Sequence, residues 1–188
     1  MKKLIIGALV GGIIIFIWQT LSWTAFNLHY SAQEYTPKQD SILRYINKQF
    51  SETGGYLLPT LPKGASMKDM EKLSANATGK PWVQIYYHKA YHVNMIKNMG
   101  LGLLADILMA GLVCWIFLKF RTITFTSTFT NCIFVGLTTF IAVPLTNHIW
   151  YESVDIKAYF IDAVMSWSLC GLWFGWWLTG KRKMKNYS

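Results

Sequence analysis

Four long apolar runs alternate with polar connections along this chain, and a longer polar segment separates the first run from the second. The runs extend from Leu4 to about Phe26, from about Asn98 to Phe120, from about Phe129 to Trp150 and from about Ile156 to Thr179. Each has roughly the 20 residues that an α-helix needs to cross the hydrocarbon core of a bilayer. The pattern therefore predicts an all-α membrane protein built as a four-transmembrane-helix bundle.

The segment between the first two runs predicts a small α/β insertion. Apolar residues recur at helical spacing from Ile42 to Phe50,. Ser66 and Asp69 have the spacing of a capping box at the start of a second helix, and the run WVQIYYH is typical of a strand,. The predicted division of the chain is transmembrane helix 1 in residues 1–27, an extracytoplasmic α/β cap in residues 28–96, transmembrane helices 2–4 in residues 97–180 and a basic cytoplasmic tail in residues 181–188.

Composition and charge agree with a membrane protein and predict its orientation. The chain is 53% hydrophobic and only 14% charged, whereas soluble domains carry about 25% charged residues. Lysine and arginine flank the runs at residues 2–3, 119–121 and 181–185, and such residues mark the cytoplasmic side. We therefore expect a multi-pass protein of the cell membrane, in a bacterial inner membrane, with both termini cytoplasmic. These flanks and the lysine-rich insertion account for the net charge of +9 without a nucleic-acid partner.

Two stretches carry a resemblance to a group of known proteins. IWQTLSW at the end of the first run and GGYLLPTLP in the insertion resemble features of small bacterial four-helix membrane proteins that have an outer cap between helices 1 and 2. The resemblance covers these stretches and the general layout of the chain. It implies the topology given above. That group has no assigned activity to carry over to Trp18, Ser22, Trp23, Tyr56 or Pro59.

Polar side chains inside the apolar runs predict a vestibule that opens outward. A charged residue at the centre of a membrane helix costs at least about 2.5–3.5 kcal/mol, so each one is a functional hypothesis. Asp106 and Asp162 both share a helix face with small or polar residues at every fourth position, which predicts that they point inward. The predicted vestibule consists of Gln19, Asp106, Asn147, His148 and Asp162. Alternatively, the aspartates only hydrogen-bond neighbouring helices and bind no ligand.

The stretch YYHKAYH raises the hypothesis of a metal site. His88 and His92 lie four residues apart and share a face in either a helix or a strand,. They could bind a divalent metal, with His29, His148 or Met95 as a third ligand. The stretch lacks the Glu of H-E-x-x-H and a cysteine partner at zinc spacing. Histidines beside tyrosines are also ordinary contacts to lipid headgroups, so no cofactor is firmly implied.

Three functions fit this distribution of polar groups. We expect a non-catalytic accessory or assembly subunit of a larger envelope complex, bound to a membrane-protein partner or to copies of itself. The first alternative is a transporter or sensor of a small solute or cation that uses the vestibule. The second is an outer-leaflet lipid-modifying enzyme, with histidine and aspartate as general acid and base. The sequence contains no Walker loop, dinucleotide fingerprint or G-x-S-x-G motif, so the non-catalytic interpretation is preferred and no catalytic residue is assigned.

Overall fold

The structure, a computed structural model, describes residues 1–180 of the chain. The predicted basic tail, residues 181–188, lies outside the described residues. The chain divides into two compact units. Met1–Glu34 and residues 94–180 form the first, called here the helical unit, and Tyr35–Val93 forms the second, called the α/β unit.

Helices make up most of the secondary structure, with one pair of strands. In chain order the elements are α1 (Lys2–Thr24), a 3-10 turn (Tyr30–Ala32), α2 (Gln39–Gln49), β1 (Gly54–Leu58), α3 (Met67–Ala77), β2 (Val83–Tyr87), α4 (Met95–Lys119), α5 (Phe125–Phe140), a π-helical turn (Ile141–Leu145), α6 (Thr146–Trp150) and α7 (Ile156–Thr179). The predicted alternation of long helices with a short mixed segment is confirmed at this level.

Three helices within residues 1–180 are long and apolar enough to cross a membrane: α1, α4 and the continuous stretch Phe125–Trp150. By length and composition, these three agree with the predicted membrane spans. The fourth predicted span coincides with α7, a 24-residue helix that contains four tryptophans. Tryptophan and tyrosine favour the membrane interface over its core, which lowers the hydropathy of α7 relative to the others. Its crossing of the bilayer stays a prediction.

In the helical unit, α1 packs against both α4 and α7, and α5 packs against α7. The helices therefore follow one another in the order α4–α1–α7–α5. Glycines allow the close approaches. A Cβ on Gly12 would lie 2.5 Å from the Cα atom of Ile107 in α4, and a Cβ on Gly136 would lie 2.5 Å from the carbonyl oxygen of Ala163 in α7. Small residues at such contacts are typical of helix packing in membranes.

The α/β unit contains α2, α3 and a two-stranded antiparallel sheet. The register pairs Gly54 of β1 with Tyr87 of β2, and the Tyr87 hydroxyl donates a 2.5 Å hydrogen bond to Oδ1 of Asn47 in α2. The predicted capping box is confirmed, because the Ser66 side chain accepts from the backbone N–H of Asp69 while the Asp69 side chain accepts from that of Ser66. The predicted strand is confirmed as β2.

Candidate functional site

The chain reverses direction directly after α1, and this turn places His29. Asn27 adopts a left-handed backbone conformation with φ of 50°, which asparagine tolerates better than most residues. The backbone N–H of Leu28 donates to the carbonyl of Ser22 at 3.0 Å. His29 consequently stacks on Trp23, with ring centroids 4.1 Å apart and planes 5° from parallel. The histidine side chain is thereby buried, with 2% of the residue exposed.

Both ring nitrogens of His29 face carboxylates. Nδ1 lies 2.7 Å from Oδ2 of Asp155, the residue that precedes α7. Nε2 lies 2.9 Å from Oδ2 of Asp162, two helical turns further along α7. The other oxygen of Asp162 accepts a 3.0 Å hydrogen bond from the indole N–H of Trp18 in α1. We call Trp18, His29, Asp155 and Asp162 the histidine clamp, because together they fasten the end of α1 to the start of α7.

The clamp must hold a proton beyond those of a neutral histidine and two ionised aspartates. A neutral imidazole has one N–H and one lone pair, and an ionised carboxylate only accepts hydrogen bonds. Two contacts between ring nitrogens and carboxylate oxygens therefore require one further proton, on the ring or on a carboxyl group. His29 and Asp155 are both buried. The hydrogen bond between them is therefore shielded from water and is stronger than the same bond would be at the surface.

A second polar pair lies between α1 and α4. The side-chain N–H of Gln19 donates to Oδ1 of Asp106 at 3.4 Å, and Asp106 is 4% exposed. In the part of the chain that the structure describes, Oδ2 of Asp106 has no hydrogen-bond partner, and neither has the buried hydroxyl of Ser22. Buried polar atoms are nearly always paired. These two atoms therefore mark a position where a further hydrogen-bonding group or a proton belongs.

A cleft of about 560 Å³ adjoins both polar groups. Its walls come from α1, α4, α5 and α7, together with Pro144 of the π-helical turn that follows α5. Gln19 and Asp162 line it, whereas most of the remaining lining is apolar or aromatic, as in Phe16, Met99 and Trp167.

The structure brings together three of the five residues of the predicted vestibule. Gln19 bonds Asp106, and Gln19 lines the same cleft as Asp162. Asn147 and His148 belong to α6 and are not among the described residues that line the cleft. His148 instead accepts at Nδ1 a 3.0 Å hydrogen bond from the backbone N–H of Ser153.

The histidines of the metal hypothesis lie at the end of the α/β unit. His88 directly follows β2 and His92 precedes α4, and both are exposed. Within residues 1–180, no three His, Cys, Asp or Glu side chains are placed so that they could hold a metal ion together. The structure therefore supplies no third ligand of these types, and a metal at this pair stays a prediction.

Sequence reasoning missed Asp155. For His29 it proposed only a possible role as a metal ligand. The two residues are 126 positions apart, and no local motif links them. One signal could have found the pair. His29 follows the first apolar run and Asp155 immediately precedes the fourth, so alternating spans place both at the same membrane surface.

Comparison with known proteins identifies no relative. No protein-family model, curated protein or solved structure matches the chain. The function is therefore argued from the clamp, the Gln19–Asp106 pair and the cleft.

Proposed function

We propose that this protein is a non-catalytic membrane subunit of a larger envelope assembly. In this proposal α7 crosses the bilayer as the fourth span, both termini are cytoplasmic, and the α/β unit is extracytoplasmic. The observation that carries the proposal is the closure of the histidine clamp. Both nitrogens of His29 and both oxygens of Asp162 are bound within the protein.

A closed network of this kind favours a structural role over catalysis. A general base must reach the proton it abstracts, directly or through one water. His29 is buried under Trp23 and has both ring nitrogens engaged. The clamp instead fixes the turn after α1 against α7. This arrangement supports a rigid scaffold for contacts with other chains.

The cleft is the surface that we assign to the partner, and the occupant is a transmembrane helix. Helices associate in membranes through close packing and through hydroxyl side chains that hydrogen-bond across the contact. Hydroxyl groups are distributed among the apolar residues of the cleft and come from three different helices. They belong to Thr20, Thr24, Thr139, Tyr159 and Ser166. The hydroxyls of Thr20, Thr24, Thr139 and Ser166 already donate to a carbonyl of their own helix. Their oxygens can still accept a hydrogen bond, and a partner helix offers donors whereas lipid tails do not.

Native mass spectrometry of the protein released gently from its own membrane tests the proposal. The wild type should appear with partner chains at a fixed stoichiometry. Thr20→Trp fills the cleft from the α1 side and should release the partner. Ile17→Trp is the matched control, because Ile17 lies on the same helix, is exposed and does not line the cleft. A bare chain for the wild type, or equal release in both variants, would contradict the assignment.

A second candidate function, transport or sensing of a small cation, is supported by the unpartnered oxygen of Asp106. Gln19 connects this carboxyl group to the cleft wall. If the protein transports a cation, Asp106→Asn should abolish uptake into proteoliposomes while the yield of folded protein stays unchanged. Parallel loss of yield and uptake would favour a structural carboxyl group instead.

A further inference from the structure

Asp106 lies near the middle of α4, on the face that packs against the rest of the helical unit. That face also contains Ala110, Val113, Cys114 and Phe117, all of them buried. The carboxyl group is thus surrounded by apolar side chains inside a helix that can span the membrane. An ionised carboxylate in such surroundings is costly unless it is paired with a charge or fully hydrogen-bonded.

The neighbouring elements supply no positive charge to Asp106. Among the described residues it forms one side-chain hydrogen bond, with Gln19, and no ion pair. α1 carries no ionisable side chain from Leu4 to Thr24. α4 contributes Lys97 and Lys119 only near its ends, with Cys114 two turns from Asp106. The titratable groups of α7 are Lys157 at its start and Tyr159, Asp162 and Cys170 further along.

The contact with Gln19 favours a proton over a metal ion as the neutralising ligand. Hard cations such as Ca²⁺ and Mg²⁺ are bound by several oxygen atoms. Gln19 presents its NH₂ group to Oδ1 of Asp106, and this donor would repel a cation placed there. A proton needs no further ligand, since it converts the carboxylate into a neutral acid whose Oδ1 still accepts from Gln19.

We propose that Asp106 is a proton-binding site within the membrane span, that the proton resides on Oδ2, and that Gln19 transmits its presence to the cleft. A hydrogen bond to an ionised carboxylate is roughly twice as strong as one to a neutral acid. Loss of the proton therefore pulls Gln19 toward α4, and uptake of the proton frees it toward the cleft. This assignment is compatible with a partner helix in the cleft, and in the transport alternative it makes the proton the transported cation.

Reaction with a hydrophobic carbodiimide tests the site on the wild-type protein in lipid. The acid proton of Asp106 moves to a carbodiimide nitrogen while the carboxyl oxygen bonds the central carbon, and rearrangement gives a stable N-acylurea. Peptide mapping by mass spectrometry should place the adduct on Asp106, with a yield that falls as the pH is raised. Asp162 is bound to His29 and Trp18, and it should remain unmodified.

Infrared spectroscopy gives a second readout of the same proton. The wild type should show the carbonyl band of a protonated carboxylic acid, and Asp106→Asn should remove this band. Gln19→Leu should shift the band to higher frequency, because the carbonyl oxygen loses its hydrogen bond. Glu152→Gln is the control, because Glu152 is an exposed carboxylate outside the helices, and it should leave the carbodiimide adduct on Asp106. An unmodified Asp106, together with an infrared spectrum that Asp106→Asn does not change, would overturn the proposal.

Discussion

His29 is bound at both ring nitrogens to carboxylates that lie 126 and 133 residues away along the chain. We expect His29→Ala to destabilise the helical unit by about 3–5 kcal/mol, because it removes the histidine partner of buried Asp155 and one of the two partners of Asp162,. Thermal unfolding in mild detergent, followed by circular dichroism, measures the effect. His148→Ala is the control, since the hydrogen bonds of His148 within the described residues go to its neighbour Ser153 and not to a carboxylate. Equal losses in the two variants would show that the clamp contributes no special stability.

The capping box of α3 predicts a local dependence on pH. Hydrogen bonds from the side chain and backbone of Ser66 lower the pKa of the Asp69 carboxyl group below its usual range. Because the pKa is lower in the folded state, the stabilisation is present above the ordinary carboxyl pKa and disappears as the pH falls through the folded value. The protection of the first-turn amides of α3 against hydrogen exchange, taken relative to the intrinsic exchange rate at each pH, should therefore fall in acid. In Asp69→Asn this protection should already be low near neutral pH and should not fall further in acid.

At the scale of elements, the contact between α1 and α4 depends on a glycine. A Cβ at position 12 would lie 2.5–2.6 Å from backbone atoms of Ile107, which cannot move without displacing α4. We expect Gly12→Ala to cost about 1–3 kcal/mol through overpacking. Gly100→Ala is the control within α4, because its Cβ would meet no atom within 4 Å, and alanine is favoured over glycine by up to about 1 kcal/mol in a helix. Thermal unfolding of both variants decides between these expectations.

The elements that the sequence predicts well are those with a local physical cause. The apolar runs predicted both ends of α4 and of α7 to within three residues. The reason is that the thickness of a bilayer sets the length of an apolar run that can span it. Ser66 and Asp69 predicted the start of α3, since a capping box is complete within four residues. The partnership of His29 with Asp155 depends on the turn at Asn27 and on how α1 packs against α7, and neither has a periodic signal.

At the scale of the whole molecule, the helical unit combines a closed polar cluster with an open cleft. In the clamp, both ring nitrogens of His29 and both carboxyl oxygens of Asp162 are bound within the protein. The Gln19–Asp106 pair keeps one oxygen unpartnered and connects to the cleft through Gln19. Asp162 and Asp106 look alike in the sequence, as single aspartates in apolar runs. Their surroundings in the structure differ. Asp162 is a structural carboxyl group of the clamp, whereas Asp106 is the candidate proton site.

The number of membrane crossings determines on which side the end of α7 lies. α1, α4 and the stretch Phe125–Trp150 can each cross, which leaves Glu152 outside if the N-terminus is cytoplasmic. If α7 also crosses, as we propose, Gly180 is cytoplasmic. To test this, Cys114, Cys132 and Cys170 are replaced by alanine, and a single cysteine is introduced at position 152 or 180. Intact spheroplasts with either variant are then treated with a membrane-impermeant maleimide. Glu152→Cys should react at once, whereas Gly180→Cys should react only after permeabilisation. Reaction of both in intact spheroplasts would mean that α7 lies on the outer surface and that the chain crosses three times.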